Sequence, residues 1–227
     1  PPPDFFVTFT RTNGFEILPD CLPVIAVNNG NDDGTGSLRK ALNDICDAGT
    51  ITFADDYTIS LSSTLFISGT VTIDGSGRTV MISGNDAVQV FNIASSGVVT
   101  LSHLNIVSGT TSNSGGGIFN AGTLTINDSA LVGNSADRHG GGIVNDEGTM
   151  LLSNSHLLSN TAVRSGGGFI NLGDNAEAVI MNSLFAYNSA GDTLLNRSAS
   201  AARLNFEGCG GGLANESGQM TVTTSTI

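Results

Sequence analysis

The chain has 227 residues, a formal net charge of −12 and a single lysine; charged residues make up only 12% of it, tryptophan is absent and 30 positions are glycine. This acidic balance argues against a nucleic-acid or anionic-membrane partner and suits a cell-surface or environmental matrix. No run of 18 apolar residues reads as a membrane helix, and no secretory leader is visible, so a secreted protein with this sequence is a mature or partial form.

Residues 1–24 stand apart as an N-terminal arm. Pro1, Pro2 and Pro3 are stiff, and Phe5-Phe6-Val7-Thr8-Phe9-Thr10 reads as a strand. That strand either lies on the first coil as a cap or reaches another subunit. Val24-Ile25-Ala26-Val27 opens the repeating region, and Asn28–Gly36 is a polar loop. Ser37 is a good N-cap, and Leu38, Ala41, Leu42 and Ile45 share one helical face. Residues 37–46 are therefore expected to form a short amphipathic helix that covers the end of the repeating region.

From there the sequence repeats. Gly115-Gly116-Gly117-Ile118-Phe119-Asn120 returns as Gly140-Gly141-Gly142-Ile143-Val144-Asn145 and as Gly166-Gly167-Gly168-Phe169-Ile170-Asn171, with a fourth copy at Gly210-Gly211-Gly212-Leu213-Ala214-Asn215. A fixed period of this size marks a solenoid. After each Asn comes a segment such as Gly122-Thr123-Leu124-Thr125-Ile126, which aligns two apolar columns. One is Val71, Val99, Leu124, Met150, Val179, Met220; the other is Ile73, Leu101, Ile126, Leu152, Met181, Val222. Their two-residue separation is the period of a strand.

A second short strand carries Leu131, Leu157, Phe185 and Ile227, with Ser129, Ser155, Ser183 and Ser225 two positions earlier and Asn134, Asn160 and Asn188 closing a corner. The Gly-rich phrase gives a third. Three short strands in about 25 residues leave no room for a helix. The expected fold is all-β: a single-stranded parallel β-helix over residues 25–227, its coils about 4.8 Å apart, with corner Asn in left-handed backbone and stacked as hydrogen-bonded ladders. Residues 189–209 break the rhythm as an insertion, read as a surface loop or a contact site.

The Gly-Gly-Gly-Ile-x-Asn-x-Gly-Thr-Leu-Thr-Ile pattern resembles the repeats of bacterial extracellular right-handed β-helix proteins of the polymorphic outer-membrane-protein type. Ser37-Leu38-Arg39 and Ile73-Asp74-Gly75-Ser76-Gly77 are similar to the CSLREA-type N-terminal module found with such repeats, although Lys40 stands where Glu is usual and Gly36 replaces the first Cys. The resemblance implies an extracellular, adhesin-like protein.

Parallel β-helices also house polysaccharide lyases and hydrolases, which need converging carboxylates, or calcium beside a catalytic base. The pairs Asp32-Asp33 and Asp55-Asp56 fall in the capping region, whereas Asp128, Asp137, Asp146 and Asp174 occupy different row positions. Arg138-His139-Gly140 looks suggestive, but Arg164-Ser165-Gly166 comes one coil later without the His. His103, His139 and His156 do not align, so no metal site is expected; Asn31-Asp32-Asp33-Gly34 offers only a weak calcium loop. The outward columns Thr72, Thr100, Thr125, Leu151, Ile180, Thr221 and Thr70, Val98, Thr123, Thr149, Ala178, Gln219 are too broken for an ice-binding array. Cys21 and Cys46 are expected to pair, which leaves Cys209 free or paired between chains. Asn127, Asn196 and Asn215 begin Asn-x-Ser/Thr triplets of little weight in a chain this rich in Asn, Ser and Thr.

The expected function is therefore non-catalytic: a structural or adhesive surface, matrix or filament subunit without catalytic residues or cofactor. The rival is a polysaccharide-binding or polysaccharide-degrading β-helix. Ile227 holds an apolar column position at the chain end, and end-to-end assembly is expected through Phe5, Phe6, Val7, Phe9 and Ile227.

Overall fold

In Thr70–Asp74 the odd positions Val71 and Ile73 are buried and their neighbours are not. This alternation recurs in Val98–Ser102, Thr123–Asn127 and Thr149–Ser153. Strands of this kind bury one face only by stacking on copies of themselves. A computed structural model describes residues 21–191 and 211–227 and shows that outcome. The chain winds into an all-parallel β-solenoid of about six turns, about 26 residues each, with one short helix. The arm residues Phe5, Phe6, Val7 and Phe9, together with Asn196, Cys209 and Gly210, lie outside the described residues.

Three walls enclose the core. The first has eight strands, from Leu22–Val27 to Gln219–Thr223; the second and third have six each. In the second, Leu104–Val107, Ala130–Val132 and His156–Leu158 stack in register. The third stacks Leu65–Ile67, Phe91–Ile93, Ile118–Asn120, Ile143–Asp146, Phe169–Leu172 and Leu213–Asn215. A fourth, minor sheet of two-residue strands, from Thr110–Thr111 to Ser189–Ala190, was not evident in the repeat. Ile73, Leu101, Ile126 and Leu152 form one fully buried column, and Ile82, Ile106, Leu131 and Leu157 form another. Among the described residues no helix is long and apolar enough to cross a membrane.

The helix runs Leu38–Asp44, capped by Ser37, whose side chain accepts from the Lys40 N–H. Leu38 and Ala41 close the core. Arg39 anchors the preceding loop, donating to Asp32 and to the carbonyls of Ser63 and Thr64. Cys21 and Cys46 are joined by a disulfide that ties the first strand to the second. Ile227 sits beside the end of the second wall, 38% exposed.

Side-chain ladders occupy the corners. Asn120 donates to Asn145 at 2.6 Å, Asn145 to Asn171 at 2.7 Å and Asn171 to Asn215 at 3.0 Å. Asn134, Asn160 and Asn188 form a second ladder at 2.9 Å per step. Ser129, Ser155, Ser183 and Ser225 form a third: each hydroxyl accepts a backbone N–H from the coil before and donates to the carbonyl two residues upstream.

The asparagines of these ladders do not take the left-handed backbone expected of them. In the second ladder the preceding residue does: Gly133, Ser159 and Tyr187 have φ between 54° and 64°. His103, Asp128, Asn154 and Asn182 form a second left-handed column between the first two walls.

Two expectations on the repeat need correction. Met150 pairs with Ala178 and Leu152 with Ile180, not with Val179 and Met181. Ala178 and Ile180 are buried, while Val179 and Met181 are 39% and 37% exposed. From Asn171 the chain takes six residues to reach its wall strand at Glu177, where Asn145 takes four to reach Thr149. The extra residues form a turn that Glu147 holds by accepting from the N–H and side chain of Asn175. Ala176 therefore stands in the place of Gly148. The outward columns become Thr72, Thr100, Thr125, Leu151, Val179, Thr221 and Thr70, Val98, Thr123, Thr149, Glu177, Gln219, with a charge in the second. The second correction concerns the insertion. Ser189 and Ala190 remain in the minor sheet, so the coil is regular for two residues longer than the repeat implied.

Ile180→Lys is expected to lower stability by about 4 kcal/mol or more, since it buries an unpaired ammonium. Val179→Lys should stay within about 0.5 kcal/mol of the parent. Urea denaturation of the two variants checks the register, and equal losses would contradict it. Alkylation without prior reduction, with intact-mass measurement as the readout, should find Cys21 and Cys46 protected. Cys46→Ser should cost about 3 kcal/mol by the chain-entropy argument for a closed loop of 25 residues.

Candidate functional site

The three glycines of each repeat have different reasons to be glycine. The first turns with positive φ: 78° at Gly115, 60° at Gly140 and 64° at Gly166. The second and third leave no room for a side chain. A Cβ on Gly116 would stand 2.2 Å from the Ser135 carbonyl oxygen, and one on Gly117 would stand 2.6 Å from that of Gly142. Successive triplets pack backbone on backbone, as in the bonds from Gly116 N–H to Gly140 O and from Gly117 N–H to Gly141 O. At the first glycine the chain crosses the outward residue of the strand it is about to form; a Cβ on Gly140 would meet the Val144 side chain.

That crossing makes the outer face of the third wall unusual. Val144, Ile170 and Ala214 point away from the core yet are buried, forming a satellite cluster against which Phe119 and Leu172 pack. Between the triplet corners and this face lies a groove of about 470 Å3. Phe119 and Leu172 supply its apolar surface; Asn92, Asn113 and Thr111 supply amides and a hydroxyl. Gln89 replaces the second glycine in the coil before the triplets begin, and its side chain donates to the carbonyls of Ser114 and Gly115. Arg138, His139 and Asp146 complete the lining.

The ionisable groups here are out of balance with water. Burial, together with the positive charges of Arg164 and Arg138, outweighs the pull of Glu216 and holds the His139 imidazole below its ordinary range. His139 is thus neutral at pH 7. Its Nδ1 is buried and has no hydrogen-bond partner. Burial, with help from Glu147, pushes the Asp146 carboxyl up. Arg138 makes no ion pair among the described residues; the guanidinium of Arg39 and the ammonium of Lys40 are paired with Asp32 and Asp44.

The other sequence candidates fall elsewhere. Asp32 is engaged by its own neighbours. Burial raises its carboxyl, but bonds from Ser62 and Arg39 and the Arg39 charge prevail and hold it below the usual range. Its two oxygens already accept from Arg39 and Ser62. Among the described residues no three of His, Cys, Asp and Glu gather around a point that would hold a metal ion. His103 fills a left-handed turn 3.4 Å from Asp74, and His156 faces outward on the second wall. His139 pairs in register with Ser165, as the repeat implied. The sequon residues Asn127 and Asn215 are held in the wall: Asn127 accepts from Ser153, and Asn215 is 3% exposed. A second groove, of about 450 Å3, lies beside the cap between Leu42, Cys46, Phe66 and Val71.

The groove of the third wall was missed in the sequence, although Arg138, His139 and Asp146 were noted singly. Its side chains do not recur in kind along a column, since Phe119 stacks on Asn92 and Leu172 on Asp146, so comparison of columns does not mark it. No family model matches the chain, and no curated protein matches it. What defines the molecule is its fold, a parallel β-solenoid, and the lateral groove on its middle coils.

Two pH dependences arise here. A carboxyl whose folded value is raised favours the fold only when protonated, so Asp146 weakens stability as pH rises through its folded value. Asp146→Asn should therefore be more stable than the parent at pH 7, with the difference vanishing below about pH 3.9, the ordinary Asp value. A His whose folded value is lowered weakens the fold as pH falls below about 6.5. His139→Gln should remove that component. Denaturation midpoints measured from about pH 3 to 8 check both signs.

Proposed function

We propose that this protein is a non-catalytic extracellular structural and adhesive β-helix, a surface, matrix or filament element whose copies associate end to end. The observation that carries this reading is the set of continuous corner ladders. From the coil of Asn120 onward, two ladders of Asn and one of Ser bind each coil to the next through side chains as well as backbone. Such a wall is a stiff spacer, because bending it opens buried amide bonds that each cost about 1–3 kcal/mol when unmet.

Other features agree. A disulfide between Cys21 and Cys46 fits an oxidising compartment. The strands Leu22–Val27 and Gln219–Thr223 stand at opposite edges of the first wall among the described residues. Parallel edges of this kind are complementary head to tail, and such contacts propagate rather than close. The rival enzyme reading draws on the groove, but Asp146 is its one carboxylate among the described lining residues. Glycoside hydrolysis ordinarily uses two.

Light scattering across protein concentration tests the assembly. The intact chain should form growing species, and a chain starting at Cys21 should stay folded and monomeric if the arm is the linker. An intact chain that remains monomeric at high concentration would overturn end-to-end association. Release of reducing ends or unsaturated sugars from polysaccharides would overturn the non-catalytic reading.

A further inference from the structure

Two charged side chains that line the groove on the third wall, Arg138 and Asp146, have no ion pair among the described residues. Convergent polar groups beside an aromatic ring in a cleft are the pattern of a ligand site. The surroundings narrow the ligand. Arg138 offers donors uncommitted to any ion pair, Asp146 offers acceptors, and Asn92 and Asn113 are amides that both donate and accept. Phe119 and Leu172 present carbon.

A ligand for this set carries many hydroxyls, each donor and acceptor at once, and a face of C–H groups. A polyanion is disfavoured: the chain carries −12 overall, and Asp137, Asp146 and Glu216 offset the two arginines of this region. A purely apolar ligand would strand the Asp146 carboxyl and the Arg138 guanidinium. The shape is also informative. Gln89, Phe119, His139 and Leu172 come from four successive coils, which at 4.8 Å per step extend about 14 Å along the axis. The volume, about 470 Å3, is within the usual range of small-ligand sites.

We infer that this groove is a binding site for neutral sugar chains, lying lengthwise with one sugar face on Phe119 and hydroxyls on His139, Arg138 and Asp146. The inference deepens the adhesive reading and rests on it by naming the ligand class. Binding needs no bond-making step. Arg138 and Asp146 gain hydroxyl partners, and the amides fix the orientation of the chain.

Calorimetric titration of the intact protein with tetrasaccharides of β-1,4-linked glucose, xylose and mannose is the test, with an oligouronate as the charged comparison. At least one neutral chain should bind. Phe119→Ala and Asp146→Ala should each weaken it tenfold or more, and Met81→Ala, at an exposed side chain on the second wall, should not. Folding of each variant is checked by its melting profile. A second readout needs no variant: the His139 imidazole resonances should shift on adding the neutral sugar. If no neutral chain binds, if only the oligouronate binds, or if binding leaves His139 and the Phe119→Ala affinity unchanged, the inference is wrong. Those outcomes leave assembly intact, whereas product release with normal binding would overturn only the non-catalytic reading.

Discussion

The structure depends on one constraint: each coil must present the next with the same groups about 4.8 Å away. Along the walls the backbone meets it by itself. At the corners, where pairing lapses, side chains must take over. The first coils use apolar corners. Ile67 and Ile93 hold the positions that become Asn120, Asn145, Asn171 and Asn215, and Leu104 holds the one that becomes Ser129. From Asn120 onward the corners are polar, and each amide is matched by the amide beyond it. A buried amide in such a stack must repeat in every coil, because a single gap strands its neighbours on both sides.

The switch to polar corners and the start of the glycine triplets fall in the same coil. The coincidence has a mechanical meaning. Glycines whose Cβ would collide with a carbonyl at 2.2 Å let backbone layers close up. The chain can then approach the third wall across its outer face, which buries Val144 and Ile170 on what would otherwise be the solvent side. Gln89 sits just before the switch and bonds to the first triplet through Ser114 and Gly115. The groove is thus a consequence of the repeat rather than an addition to it.

Much of the fold could be read from the period alone. Leu124, Ile126 and Leu131 face the core because strands alternate, and Ser37 begins the helix because its side chain meets the Lys40 N–H. The error at Val179 has a local cause. Four of the five residues in Glu177–Met181 are apolar or small enough to suit either face, and the missing Gly removed the register mark. The turn adds two residues where aligning Glu177 with Gly148 implied three, and a register error of one exchanges inside for outside. The site was harder to foresee. Asp146 and His139 never share a column, and column comparison sees only groups that repeat.

That distinction also separates the scaffold from the site. Positions that repeat are satisfied by their copies: Asn145 finds Asn120 on one side and Asn171 on the other. A position occupied once has no copy to satisfy it. His139 stands at a step that the next coil fills with Ser165, so its imidazole has no imidazole beside it and its Nδ1 is left over. Asp146 pairs with Leu172, which accepts nothing through its side chain. In a solenoid, self-complementarity consumes the polar groups of the repeat, and only residues that break it are available to another molecule. Here the breaks at Gln89, His139 and Asp146 fall together on one face, beside Arg138. Local inconsistency within an otherwise consistent sequence is where function is to be sought.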